Sequence, residues 1–241
     1  MSQIELIRDS VFARGVRRDI GMHSTSHFLA TRYQPIVELA SDVTIGFEVL
    51  SKIESEKFVD PETFFMRLER EEFIDIVLQQ IEGVNNFYDN LVPGCNLRFF
   101  INIRHSLLLL PEIVYSICHR AKCRLALEID FMDAMSSTDK TVMESIATII
   151  SYGHEIWLDD YDGGELNKLI EEIPWSGIKV DKSFLWQYAI NCKKLKAILS
   201  SKLFAGRKTI IEGVETRQQK ETCLQAGFMS GQGFYWQEWT D

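Results

Sequence analysis

The sequence predicts an α/β protein in which parallel strands alternate with crossover helices and close into a (β/α) barrel. Three observations carry that expectation. Short apolar runs alternate with stretches of helical periodicity through most of the chain. Most of the predicted strands end on, or just before, an acidic, amide or lysine side chain. The 241 residues contain no low-complexity linker and no internal repeat, so residues 29–241 are expected to form one domain behind an N-terminal extension over 1–28.

The elements follow in order. Residues 4–18 fit a short amphipathic helix. Residues 30–39 read as a strand interrupted by Pro35, which lacks an N–H donor and so belongs at an edge or in a first strand. Ser41-Asp42 makes a turn into a second strand, Val43 to Leu50, which completes a hairpin and carries Glu48. Asp60-Pro61 starts a helix, with Asp as N-cap and Pro at the first position, that runs to about Glu71. A second helix covers about 73–90, where Phe73, Ile76, Val77, Ile81 and Val84 form an apolar stripe. Pro93-Gly94 breaks it. Leu97 to Ile103 is a strand with Asn102 at its end, 106–119 a helix, and Arg124 to Ile129 a strand that delivers Glu128. A helix over 137–152 stops at Gly153. The strand leading into Asp159-Asp160 follows, then Gly177 to Val180 with Lys179. A helix over 189–203 leads to Lys208 to Ile211, which delivers Glu212. The last helix, about 216–226, ends at Gly227, and the last strand lies near Ser230 to Tyr235 with Gln232 in it.

Composition narrows the function. A hydrophobic content of 46% with 25% charged residues is ordinary for a globular protein. The net charge of −9 and the lack of a basic face argue against a duplex nucleic-acid partner. A small phosphorylated ligand held through metal ions stays open. Five cysteines without CxxC spacing suggest a reducing compartment, and no HExxH motif supports a zinc hydrolase. No apolar run reaches the ~18 residues of a spanning helix, and residues 1–20 lack a signal-peptide core. A cytoplasmic protein with no membrane partner is expected.

Taken alone, Asp159-Asp160 before Gly163-Gly164 reads as a solvated acidic turn. Set beside Glu48, Asn102, Glu128, Lys179, Glu212 and Gln232 at other strand ends, it becomes part of one constellation, because the strand C-termini of a (β/α) barrel open on a single face. Five facing carboxylates disfavour folding without counter-ions. Oxygen ligands suit Mg²⁺, Mn²⁺ or Ca²⁺ rather than zinc, and there are enough carboxylates for two ions, which can clamp an in-line phosphoryl displacement. Lys179 would stabilise phosphate charge or orient a water, and Glu212 would accept its proton. The chemistry expected is phosphodiester hydrolysis.

These residues resemble the ordered motifs of the EAL family of cyclic-di-GMP-specific phosphodiesterases. The resemblance rests on Gln34-Pro35-Ile36-Val37, Phe47-Glu48-Val49-Leu50, Phe100-Ile101-Asn102, Leu127-Glu128-Ile129, Leu158-Asp159-Asp160-Tyr161, Ile178-Lys179-Val180-Asp181, Ile211-Glu212-Gly213-Val214-Glu215-Thr216 and Gln232-Gly233-Phe234, over about residues 30–237. It implies a modified TIM-type (β/α)8 barrel with one antiparallel strand. It also implies opening of cyclic di-GMP to linear pGpG with two ions of Mg²⁺ or Mn²⁺, and inhibition by Ca²⁺. By position, Glu48, Asn102, Glu128 and Asp159 match ligands of the first metal, and Asp159 and Asp160 those of the second. Lys179 and Glu212 match the water-handling pair. Gln34 and Leu50 match substrate contacts, and Lys52 stands where the family usually has an Arg on a substrate phosphate. Asp181, Glu215 and Gln232 match supporting positions.

Two departures bear on activity. Phe131 stands where the family usually has a Glu that fastens the loop after the Asp pair. That loop reads Asp160-Tyr161-Asp162-Gly163-Gly164 and is one residue shorter before Pro174. A Phe removes a hydrogen-bond acceptor. The readings that follow are an active phosphodiesterase tuning motility, biofilm or fimbriae, a weak or inactive relative that binds a protein such as a flagellar transcriptional regulator, or a receptor that binds cyclic di-GMP without turnover. A homodimer is a further expectation. The aromatic tail Phe234-Tyr235-Trp236 reads as barrel-closing packing or a partner surface.

Overall fold

In the computed structural model, described over residues 19–22, 25–54, 60–92, 95–134, 140–165, 171–189 and 191–240, ten strands join one sheet. They are β1 (Asp19–Met22), β2 (Thr25–Glu38), β3 (Val43–Glu54), β4 (Arg98–Asn102), β5 (Leu125–Asp130), β6 (Glu155–Tyr161), β7 (Gly177–Val180), β8 (Lys208–Ile211), β9 (Ser230–Gln232) and β10 (Trp239–Thr240). Strands β3 to β9 pair in sequence order, all parallel, and β2 runs antiparallel to both β3 and β9 and so closes the ring. The result is an eight-stranded (β/α) barrel with one antiparallel strand. Pro35 lies in the closing strand rather than at a free edge. On that side it falls in the gap between Arg32–Tyr33, paired with β10, and Ile36–Glu38, paired with β9, where a missing donor breaks no ladder. The hairpin is longer than expected: β2 begins at Thr25, β1 pairs with its first residues, and β3 extends to Glu54.

The helices are α1 (Pro61–Arg67), α2 (Arg70–Asp89), α3 (Pro111–Arg120), α4 (Phe131–Ala134), α5 (Lys140–Ser151), α6 (Lys182–Tyr188), α7 (Cys192–Leu199) and α8 (Arg217–Ala226). Asp60 caps α1 through its carboxylate, as expected. Leu68 is extended and divides α1 from α2, and Glu69 with Glu72 makes a capping box for α2. The helix expected over 106–119 is a 3₁₀ turn, His105–Leu109, followed by α3. Pro111 is the cause. It has no N–H and pushes Leu110 out of helical geometry, to φ −118° and ψ 82°. The helix expected over 189–203 is instead α7 and a 3₁₀ turn over Lys202–Phe204, and α6 was not anticipated. Asp181 caps α6 and Asn191 caps α7, and these two local signals set the starts. The strand expected near Ser230 to Tyr235 is β9 and stops at Gln232, where Gly233 turns with φ +153° against the backbone of Val214. The helix over 4–18, the Pro93-Gly94 break and the first residues of the helix over 137–152 lie outside the described residues.

One large apolar core lies between the strands and the helices. A second, small cluster of Ile36, Phe100, Ala126, Trp157 and Ile210 is separate from it. Strand residues alternate between faces, so the second cluster fills the barrel interior. No described helix is long and apolar enough to cross a membrane.

Candidate active site and metal centre

Stepping by two along each strand builds the interior in three layers. Arg98-Phe100-Asn102 on β4 and Glu155-Trp157-Asp159 on β6 run from the strand start to its end. Arg124, just before β5, continues through Ala126 to Glu128, and Lys208-Ile210 on β8 continues to Glu212. The first members form an ionic floor, the second an apolar middle, the third a polar mouth. The middle layer is apolar and tight: Phe100 and Trp157 pack edge to face at 4.9 Å. Gly177 makes room for the indole, since a Cβ there would stand 2.3 Å from it.

At the mouth the ammonium of Lys179 lies 3.0 Å from Glu48 Oε2, 3.0 Å from Glu128 Oε1, 3.1 Å from Asp159 Oδ1 and 2.7 Å from Glu212 Oε1. Its side chain is 1% exposed. Asn102 Nδ2 donates to Glu48 Oε1 at 2.9 Å, and Gln232 Nε2 donates to Glu48 Oε2 and to Gln34 Oε1. Three protons cannot align on four carboxylates at once. Both oxygens of Glu128 and Oδ1 of Asp159 are buried without a hydrogen-bond donor, close as the ammonium is. Glu48, Glu128 and Asp159 bring one oxygen each within 4.8 Å of one another, as do Asp159, Asp160 and Glu212. Asp159 belongs to both groups. Undonated buried carboxylate oxygens in an all-oxygen set fit hard divalent cations.

The charges respond to this crowding. Burial would push Glu48 up, but Lys179 and hydrogen bonds from Gln232, Lys179 and Asn102 hold it below the usual carboxylate range. Burial dominates elsewhere. It holds Glu128 and Glu212 well above that range and raises Asp159, against the pull of Lys179. Burial and the charge of Asp159 push Asp160 up to about 7. Burial would lower Lys179, but the four carboxylates keep it well above the ordinary lysine value. Ligands of a metal must be ionised, so an ion taken up at this mouth would displace protons.

The loop after the Asp pair is held without a carboxylate at position 131. Asp160 turns it with a positive φ of 52°, a conformation Asp tolerates better than most. Phe131, buried at the start of α4, packs edge to face on Tyr161 at 5.4 Å, and Tyr161 packs in turn on Phe204. The Tyr161 hydroxyl donates to the carbonyl of Gly164, and Asp162 accepts from the Gly164 N–H. An aromatic clamp stands where an acceptor was expected. Asp130, not singled out from sequence, caps α4 and adds its charge to the field on Asp160.

The remaining expected residues spread outward. Gln34 sits beside Glu48 in the β2–β3 register. Leu50 is half-buried and Lys52 exposed, two and four residues beyond Glu48 on the same strand face. Asp181 caps α6 and contributes to the field on Asp160. Glu215 is exposed before α8, its N–H donating to Gln219. The floor was missed: Glu155 meets Lys208 at 2.6 Å, Arg98 at 3.3 Å, Arg124 at 3.5 Å and the Trp157 indole N–H at 2.9 Å. A step back of two and four residues from each strand-end residue would have found it.

The sequence profile of the EAL domain matches residues 17–238. The Escherichia coli (strain K12) protein named "Probable cyclic di-GMP phosphodiesterase PdeB" is 26% identical over 221 residues, or 86% of this chain and 42% of that protein. The chain thus spans about two fifths of that relative's length. A solved structure of PaMucR phosphodiesterase in a c-di-GMP complex has a TM-score of 0.73 at 23% identity, covering 86% of this chain and 89% of that one. The manganese and cy-diGMP complex of Klebsiella pneumoniae BlrP1 at pH 6 has a TM-score of 0.73 at 19% identity, over 95% of this chain and 59% of that one. At these identities the likeness to solved structures speaks for the fold.

Proposed function

The chain belongs to the EAL domain family, and from that premise we propose that it hydrolyses cyclic di-GMP to linear pGpG with two divalent ions, Mg²⁺ or Mn²⁺, at the mouth of the barrel. The observation that carries this reading is the sharing of Asp159 between two groups of carboxylate oxygens. Glu48, Asn102, Glu128 and Asp159 would hold one ion, and Asp159 and Asp160 the other. Five ionised carboxylates and one ammonium leave four negative charges, which two divalent ions balance. When bound, the ions supply Lewis-acid stabilisation and a more acidic water.

The chain's own residues do the rest. Gln232 and Asn102 fix Glu48 from two sides. Glu212, its carboxylate 2.7 Å from the Lys179 ammonium, would take the proton of the attacking water, and Lys179 would orient that water. Gln34, Leu50 and Lys52 lie on the hairpin bordering the mouth and would meet the substrate, Lys52 as a point charge on phosphate. Asp181, Glu215 and Gln232 would support the surrounding turns. The aromatic clamp of Phe131 on Tyr161 favours turnover over the regulator-binding alternative, because the altered loop keeps an anchor next to Asp160. Acting in the cytoplasm, the protein would lower cyclic di-GMP and so tune motility, biofilm or fimbriae.

The test is a hydrolysis assay with Mn²⁺, resolving pGpG by chromatography. The expected result is turnover that falls by at least about a hundredfold in Glu48→Ala. No turnover above that variant would overturn the reading.

A further inference from the structure

Lys179 does more in this arrangement than face a water. Its ammonium is within 3.1 Å of four carboxylates drawn from β3, β5, β6 and the end of β8. Those are the oxygens that would ligate divalent ions, and two cations cannot hold the same oxygens at full strength. Resting on the metal-dependent reading above, we infer that Lys179 is a standing counter-ion that lets the carboxylate ring fold before any divalent ion arrives, and that metal loading proceeds against it. Without an ammonium, Glu128 and Asp159, with oxygens already lacking donors, would face Glu48 and Glu212 with no positive charge between them. The barrel could then form only with protons or metal ions in the ring. The role is positional: Lys179 sets where four side chains point and how tightly the ring takes a divalent ion.

The experiment uses the full chain stripped with EDTA and then freed of chelator. Thermal melting with and without Mn²⁺ is followed by circular dichroism, and free Mn²⁺ is counted by electron paramagnetic resonance. The wild type should melt cooperatively without metal and gain little from Mn²⁺. Lys179→Met should melt at least about 8 °C lower without metal, recover part of that loss with Mn²⁺, and bind Mn²⁺ with a Kd about tenfold lower, one like charge having left a partly screened site. Lys179→Arg, which keeps the charge, should stay close to the wild type in metal dependence. Lys179→Met combined with Glu128→Gln should be more stable without metal than Lys179→Met alone. Equal Mn²⁺ shifts in wild type and Lys179→Met, or no gain in the double variant, would overturn the inference alone. Failure of both wild type and Lys179→Met to bind Mn²⁺ would overturn it together with the metal-dependent reading.

Discussion

The two ends of the barrel solve opposite electrostatic problems with the same strands. At the floor one carboxylate, Glu155, sits among three cations and an indole N–H. At the mouth one ammonium, Lys179, sits among four carboxylates, with Asp160 close by. The floor is satisfied: its partners reach into solvent, and Glu155 is held below the usual carboxylate range, with Lys208, Trp157 and Arg98 overcoming burial. The mouth is in deficit, with undonated oxygens and raised carboxyls. Strand starts in such barrels serve stability and strand ends serve chemistry. Here the division appears as opposite signs of charge surplus on either side of an apolar layer.

Removing one carboxylate at each end tests this most strongly. Glu155→Ala leaves Arg98 and the Trp157 N–H without their partner and should destabilise the protein by about 3 kcal/mol in urea unfolding, near the low end for a broken buried pair because Arg124 and Lys208 are half solvated. Glu128→Gln should do the reverse and raise the stability of the metal-stripped protein while depressing hydrolysis. Destabilisation by both would break the contrast. A smaller effect is expected from the layer between. Gly177→Ala forces a methyl into the Trp157 ring and should cost about 1–3 kcal/mol, with the thermal midpoint lowered and hydrolysis at low temperature retained.

The last contrast is in pH. Beside the floor, His154 accepts from the Leu125 N–H through Nδ1 and reaches the Cys118 carbonyl through Nε2. Burial lowers its pKa from 6.5, outweighing the Cys118 contact. The unfolded chain therefore binds the extra proton first, so stability holds above pH 6.5 and declines below it. Asp160 at the mouth runs the other way in metal-stripped protein. Its folded value is raised to about 7, so its contribution is best at low pH and is lost as pH rises from its unfolded value toward 7. Unfolding of wild type, His154→Gln and Asp160→Asn across pH 4–8 separates the two slopes.

The mouth was legible because each of its residues ends an apolar run, and parallel strands carry such ends to one face. The floor was not, because an Arg, Lys or Glu at the start of a strand reads as a solvated charge until the step of two is followed backwards. The packing role of Phe131 was hidden for a different reason. A missing carboxylate is visible in a sequence, whereas the partner that makes an aromatic useful, Tyr161, lies thirty residues on and across β5 and β6. The helix boundaries missed at Pro111 and Asp181 were local and readable. The 3.6-residue periodicity outweighed them.

The indole of Trp157, seated in the notch left by Gly177, has a consequence for traffic. It stoppers the barrel, so whatever reaches the carboxylates must leave by the way it came in. A reaction there has one doorway for arrival and departure. The spent molecule stands in the path of the next one until it clears the mouth.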